Sequence, residues 1–439
     1  MMFLAGFWGL VVASCAWAQP PASPGAGDRE LETRVGRLIE LLDADQRTER
    51  IRAERALRSM GPEILKLLPA PELVRNESAR VILRQLRIEL ERRRARESVA
   101  ASLVSLSGKY TLAEVFSAVT AQTGNRVDVS SLKSSQLHQV VSFPEQQTPR
   151  AFWPLLDDLS RRYGWKSVSG SSGSQAVRLV VSPPKPVQVA YAGPVRVQLV
   201  RSVVQPLLGV PGADKLRCNL ELFVEPRLRP LFLRVSGKSI GAQSPTGASF
   251  PALSLSGASL ELPLGQDGRR IPFHVDFTKP QASTARRFSL TGSLSLQLAA
   301  AEAEFRFGEL PTANNVARRR NGVTVVLRRA AFKTLADKTV TARVTVSVVY
   351  DAGGPAFESH RTWIFHNAVY LLRDGQRRRT AGSGFQIERQ SDGGVQLTYT
   401  FRGLQQPVGD YRFVYAAPTL ITSVPVKFHF GRVPLRKQP

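Results

Sequence analysis

The apolar residues of this chain change their period twice. Between residues 29 and 98 they recur every three or four positions. Leu38, Leu41 and Leu42 form one such set, Ile51, Ala56 and Leu57 another, and Val81, Leu83, Leu86 and Leu90 a third. That is the stripe of amphipathic helices. Gly61-Pro62 closes one helix and opens the next. From 99 to 182 helical and alternating stretches interleave. "SLVSL" reads as a strand, and Thr111-Leu112-Ala113-Glu114 is a capping box opening a helix that buries Val115, Phe116, Val119 and Thr120 and stops at Gly124. "RVDVS" and "HQVVSF" are strands. Thr148-Pro149 is expected to start a second helix carrying Phe152, Leu155, Leu156 and Leu159, with Pro154 kinking or tightening its first turns. "WKSV" and "QAVRLVVS" close the segment as a hairpin.

After Ser182-Pro183-Pro184-Lys185-Pro186 the period becomes two, in short runs parted by Gly, Pro and Ser. These runs repeat. Gly193, Val197 and Leu199 match Gly322, Val325 and Leu327, and Phe305 to Pro311 ("FRFGELP") matches Phe428 to Pro434 ("FHFGRVP"). A repeat of about 125 residues suits one sandwich per copy, at 187–311 and 322–439.

Three resemblances follow. Leu41-Leu42-Asp43 with Arg52, Ala56, Leu57 and Gly61 resembles a HEAT-like repeat over about residues 31–96. One and a half repeats cannot bury a continuous core alone, so the segment should pack on a neighbour. "TLAEVFSAVTAQTGNRVDVS" and "TPRAFWPLLDDLSRRYGW" resemble the secretin and TonB short N-terminal domain over about 101–182. That resemblance implies a small α+β module of the periplasm that docks protein partners, here without the barrel or pore that usually follows. Gly409-Asp410-Tyr411-Arg412-Phe413 resembles the tyrosine corner of an immunoglobulin-like sandwich, with Phe413 in place of a disulfide cysteine. The first copy has Arg286 before Phe288 and lacks that tyrosine. The expected fold is thus multi-domain: N-terminal HEAT-like helices (29–98), a small α+β module (99–182) and two tandem β-sandwiches.

Residues 1–18 carry no charge, have an apolar centre and end in Ala16-Trp17-Ala18, the pattern of a cleaved export signal. A Pro/Gly/Ala linker (19–28) follows. Val12-Ala13-Ser14-Cys15 also resembles a lipobox, which would leave Cys15 as a lipidated N-terminus. Export implies a periplasmic or cell-envelope protein. Cys218 is the only other cysteine and reads as a small core residue, so the domains stand without a disulfide. No later stretch is apolar enough for a membrane helix. The net charge is +25, of which +13 lies beyond residue 311. Only 12 of the 60 basic residues are lysine, which makes an arginine-biased composition the simplest source of the excess. Its concentration at one end is what a binding surface would require.

Candidate chemistry is sparse. Gly237-Lys238-Ser239-Ile240-Gly241 matches the G-x-S-x-G hydrolase elbow, yet "AQSPTGAS" cannot supply the helix which that turn needs. Phe232 stands where a phosphate loop needs its first glycine. Glu358, His360 and His366 could share one strand face as metal ligands, or form a polar face opposite Trp363 and Phe365. No motif calls for a cofactor, and no catalytic residue is assigned. The arginine clusters are Arg92-Arg93-Arg94 at a helix end, then Arg318, Arg319 and Arg320 with Arg328 and Arg329, and Arg377, Arg378 and Arg379. The last two are expected in loops of the final sandwich, solvated or facing an anionic polymer, lipid surface or acidic protein. Nucleic acid is disfavoured because base-stacking aromatics are missing from these stretches. The reading favours a non-enzymatic envelope scaffold that docks a protein partner. A polyanion-binding protein comes second, and a hydrolase or metalloenzyme third.

Overall fold

The structure is a computed structural model. It describes residues 26–145, 148–169, 176–182, 187–253, 259–263, 270–279, 285–350, 364, 367–379, 384–391 and 393–436. The export signal with Cys15, the Pro183–Pro186 linker and the group Glu358, His360 and His366 lie outside the described residues. The chain divides into a unit ending at Leu90 and another beginning at Glu91.

The first unit holds α1 (Ala26–Leu41), α2 (Arg47–Met60) and most of α3 (Glu77–Ser98). Its core takes Leu42, Ala53, Leu57, Leu83, Leu86 and Leu90. Ile51 and Val81, read from spacing as core positions, are each 41% exposed. Ala53 with Leu57, and Leu83 with Leu86 and Leu90, define the buried stripes, and Ile51 and Val81 each lie two residues off them. Gly61 ends α2 in a positive-φ conformation, and Pro62 opens a short 3-10 turn.

The second unit is β-rich. It starts with β1 (Leu103–Val104), β2 (Gly108–Thr111), α4 (Leu112–Thr123), β3 (Arg126–Asp128), α5 (Ser134–Leu137), β4 (Val140–Phe143), β5 (Arg150–Ala151), α6 (Phe152–Tyr163), β6 (Trp165–Ser169) and β7 (Ala176–Val181). The Thr111–Glu114 capping box is made in both directions, and Gly124 caps α4 in the left-handed region. The second helix begins at Phe152, later than Thr148-Pro149 suggested, because Arg150 and Ala151 are extended and pair with β1. Pro154 therefore falls in the first turn. Its missing N–H would have had no intrahelical acceptor there, so the helix needs no kink. Phe116, Val119, Phe152, Leu156 and Leu159 pack with Trp165 and Leu179 as one core.

The remaining strands are β8 (Gln188–Ala192), β9 (Val195–Pro206), β10 (Asp214–Val224), β11 (Arg229–Ser236), β12 (Ile240–Gln243), β13 (Ser249–Phe250), β14 (Ser259–Pro263), β15 (Arg270–Lys279), β16 (Arg287–Phe307), β17 (Asn314–Arg320), β18 (Val323–Thr334), β19 (Val340–Tyr350), β20 (Val369–Arg373), β21 (Gln376–Arg379), β22 (Phe385–Ser391), β23 (Gly394–Leu404) and β24 (Arg412–Pro434). A four-stranded sheet, β15-β10-β9-β8, packs over a first core, and a five-stranded sheet, β17-β18-β19-β23-β22, over a second. Both cores share one eight-stranded sheet, whose spine is the antiparallel pair β16 and β24, 21 and 23 residues long. Strands usually span three to ten residues. These two are long enough to serve both cores.

The repeat copies have in effect exchanged their ends. Phe305, Phe307 and Leu310, from the first copy, lie in the second core. Val424, Val426, Phe428, Phe430 and Val433, from the second copy, lie in the first. The division expected at 311–322 thus cuts through the membership of both cores. Nor is residue 312–321 a linker. Asn321 and Gly322, both at positive φ, form the two-residue turn joining β17 to β18.

Candidate interaction site

The 101–182 module is held to the neighbouring sheet by two buried polar clusters. In the first, Asp157 of α6 accepts from Arg196 Nε at 2.6 Å and from the Tyr191 hydroxyl at 2.7 Å. The Asp157 and Arg196 side chains are only 10% and 8% exposed, and the guanidinium lies over the Phe223 ring. Burial, then the Asp157 charge, pushes the Tyr191 hydroxyl well above its ordinary range, so it remains a donor. Beside them Trp153 Nε1 donates to Pro194 O at 3.1 Å.

In the second cluster, the buried Glu225 carboxylate accepts from Ser102 N at 2.9 Å, Asn125 Nδ2 at 3.3 Å and Arg227 Nε at 2.7 Å. Asn125 is fully buried, and its Oδ1 accepts from Arg227 N at 3.0 Å. Arg227 also donates to the carbonyls of Ser98 and Ala100. Buried ion pairs offset their desolvation only when their geometry is good and remaining polar atoms are satisfied. They therefore set one seating of the module. Apart from Arg227 with Glu225, two positions apart, none of these partners was legible from spacing, since each tie joins residues at least 34 positions apart in sequence.

With that side clamped, the module's own strands stay open. Among the described residues β4 pairs only with β2, and β3 and β6 pair only with β7. Val140, on the outward face of β4, is 61% exposed, whereas Val141 and Phe143 face the core.

The arginine triplets expected in loops are on strands. Arg318, Arg319 and Arg320 belong to β17, and Arg377 to Arg379 to β21, which follows the Asp374-Gly375 turn. Asn-Gly and Asp-Gly between alternating runs are the strongest short hairpin signals, so the sequence did carry this information. Arg318 lies over Phe307, Arg319 pairs with Glu91 at 3.2 Å, and Arg328 donates to Ser347 and Asn315. Arg329, also on β18, is exposed. Arg377 lies over Tyr370, whose hydroxyl donates to Glu304. Hydrogen bonds from Arg306 and then Tyr370 hold the Glu304 carboxyl below its usual range. The triplets also belong to different sheets. β17 edges the five-stranded sheet beside β16, and β21 edges the eight-stranded sheet beyond β24 and β20.

Ser239 sits in a 3-10 turn followed by strand β12, and its hydroxyl donates back to Ser236 O at 2.6 Å. Cys218 is fully buried in β10, where desolvation raises its thiol pKa. Tyr411 does close a corner, accepting from Gln405 N at 3.1 Å. No group of three or more His, Cys, Asp or Glu side chains suited to a metal occurs among the described residues, and none of their helices is long and apolar enough to cross a membrane.

No protein-family model matches the chain, and no curated protein matches it. Among solved structures, a conserved domain protein from Bacillus anthracis aligns at 8% identity over 56% of this chain and 90% of its own, with a TM-score of 0.17. One chain of an atomic model of the Salmonella SPI-1 type III secretion injectisome basal body proteins InvG, PrgH and PrgK aligns at 9% identity over 74% of this chain and 91% of its own, with a TM-score of 0.14. Likenesses this distant assign neither fold nor function.

Proposed function

We propose that this is a non-enzymatic, exported cell-envelope scaffold whose 101–182 module, of the secretin and TonB short N-terminal type, docks a protein partner. The observation that carries the reading is the exposed Val140 on an open strand of a module clamped rigidly on its other side. Open edges accept a partner's strand through main-chain hydrogen bonds, and an exposed apolar side chain adds selectivity. Export rests on the apolar, uncharged 1–18 stretch and its Ala-x-Ala end. The test is a photo-crosslinking residue at Val140 of the full chain in its native cell, with Val349 as an exposed control. A discrete adduct from position 140 alone, recovered with the envelope fraction, is expected. Equal labelling at both positions, or recovery from the cytosol, overturns the reading.

A second reading is polyanion binding through the C-terminal strands. All seven residues of β17 are exposed, Arg318 to Arg320 among them, and this favours it.

A further inference from the structure

The β9–β10 hairpin ends in "PLLGVPGAD" (206–214). Two successive turns build its tip. Val210 N donates to Leu207 O at 3.2 Å and Ala213 N to Val210 O at 3.2 Å, while Leu207 N closes the loop on Ala213 O at 2.8 Å. Gly209 and Gly212 take φ of 81° and 75° at the third position of each turn, the type II arrangement that glycine supplies without strain. The tip is thus preorganised. It holds Leu208 90% exposed and Val210 49% exposed, with Pro206 and Pro211 also in solvent. Turn geometry demands neither side chain, since any polar residue serves at those positions.

Beside the tip lies a basic rim. The chain end runs along β9, with Ser202 Oγ donating to Pro434 O at 2.8 Å and Val204 N to Arg436 O at 2.7 Å. Arg287 pairs with Pro434 across β16 and β24, and Leu435 N donates to Arg286 O. Arg201, Arg286, Arg287 and Arg436 therefore collect at this end, all exposed. The nearby acids are occupied: Asp276 by Arg217 and Lys215, and Asp214 by Lys279. Val204, opposite Arg436, lies three strand residues or roughly 10 Å from the first turn, and Ser202, opposite Pro434 and so nearest Arg286 and Arg287, lies five residues or roughly 17 Å from it. The nearer spacing matches the depth, about 5–10 Å, to which interfacial apolar groups enter a bilayer, and the long arginine side chains span part of the remainder.

We propose that this tip and rim dock on an anionic lipid bilayer, with Leu208 and Val210 entering the headgroup–acyl boundary while the arginines pair with headgroup phosphates. A convex apolar point beside exposed guanidiniums fits a deformable, negatively charged interface. An acidic soluble partner would engage the arginines and leave Leu208 in water. The surface uses neither Val140 nor the arginine triplets, so it stands apart from both readings above.

The full chain is tested on phosphatidylglycerol-rich vesicles against pure phosphatidylcholine. An environment-sensitive dye on Leu208→Cys, in a Cys15→Ser background, should brighten and shift to the blue only with the anionic vesicles. The fully buried Cys218 does not compete for label. Leu208→Ser with Val210→Ser should lower vesicle co-sedimentation at least about tenfold, with thermal unfolding unchanged. Arg286→Ser with Arg287→Ser should lower it and flatten its salt dependence. A dye that stays in water while protein sediments with vesicles overturns the proposal. So does a Leu208/Val210 variant that binds as tightly as the parent, or a bound acidic protein that shifts the dye as the vesicles should.

Discussion

Gly292 shows how one residue records the exchange of strands between the repeat copies. It lies on β16 opposite Phe428 of β24, and a Cβ there would fall 2.2 Å from the Phe428 ring. The phenyl ring occupies the space that a side chain at 292 would need. Across the same pair of strands Phe305 faces Tyr415, so the second core fills the matching position with an aromatic. Gly292→Ala is expected to destabilise the fold by about 1–3 kcal/mol through overpacking. Adding Phe428→Leu should recover part of the loss, read from denaturant midpoints of the single and double variants. Additive losses would show that the two positions do not touch. The same scale explains what periodicity missed. Ile51 and Leu57 are equally apolar, and only the helix's orientation to its neighbours decides which is buried.

At the scale of elements, β16 and β24 matter most. Neither contains a Gly-Pro or Asn-Gly break where it leaves one core for the other: β16 only loses its alternation at Leu298-Ala299, and β24 is buried without alternation from Phe413 to Leu420. A fragment ending near residue 311 keeps β8 to β16 but loses five apolar side chains of the first core that β24 supplies. Residues 187–311 expressed alone are therefore expected to remain unfolded by near-UV circular dichroism. Adding a peptide of residues 412–436 should restore a cooperative melt. An independently folded 187–311 fragment would mean that the exchanged ends are dispensable. Local signals elsewhere were sufficient: the Thr111–Glu114 box, Gly124, and the hairpin at β6 and β7 all needed only neighbours in sequence.

For the whole molecule, the charge of +25 acts through where the arginines sit. Arg318 to Arg320 lie on β17 of the five-stranded sheet and Arg377 to Arg379 on β21 of the eight-stranded sheet, so the two clusters are carried by different sheets. If the C-terminal strands bind polyanions, Arg318→Ser with Arg320→Ser should lower the salt at which the chain leaves heparin. Arg377→Ser with Arg378→Ser should do so too, and the combined variant should show the sum. Elution unchanged in every variant would reduce the excess charge to composition.

The succession of helical, mixed and alternating segments was readable from the sequence because period, caps and turn residues are local properties of the chain. So was the burial of Cys218. Three things awaited the tertiary structure. One was which copy completes which core, because strand pairing joins residues more than a hundred positions apart and alternation is the same whichever partner is chosen. Another was the pairing of Asp157 with Arg196 and of Glu225 with Asn125, where burial alone turns common surface residues into ties. The last was the separation of the arginine triplets onto edge strands of two different sheets. Charge can be counted along a chain, whereas the field it makes depends on distances that only folding sets.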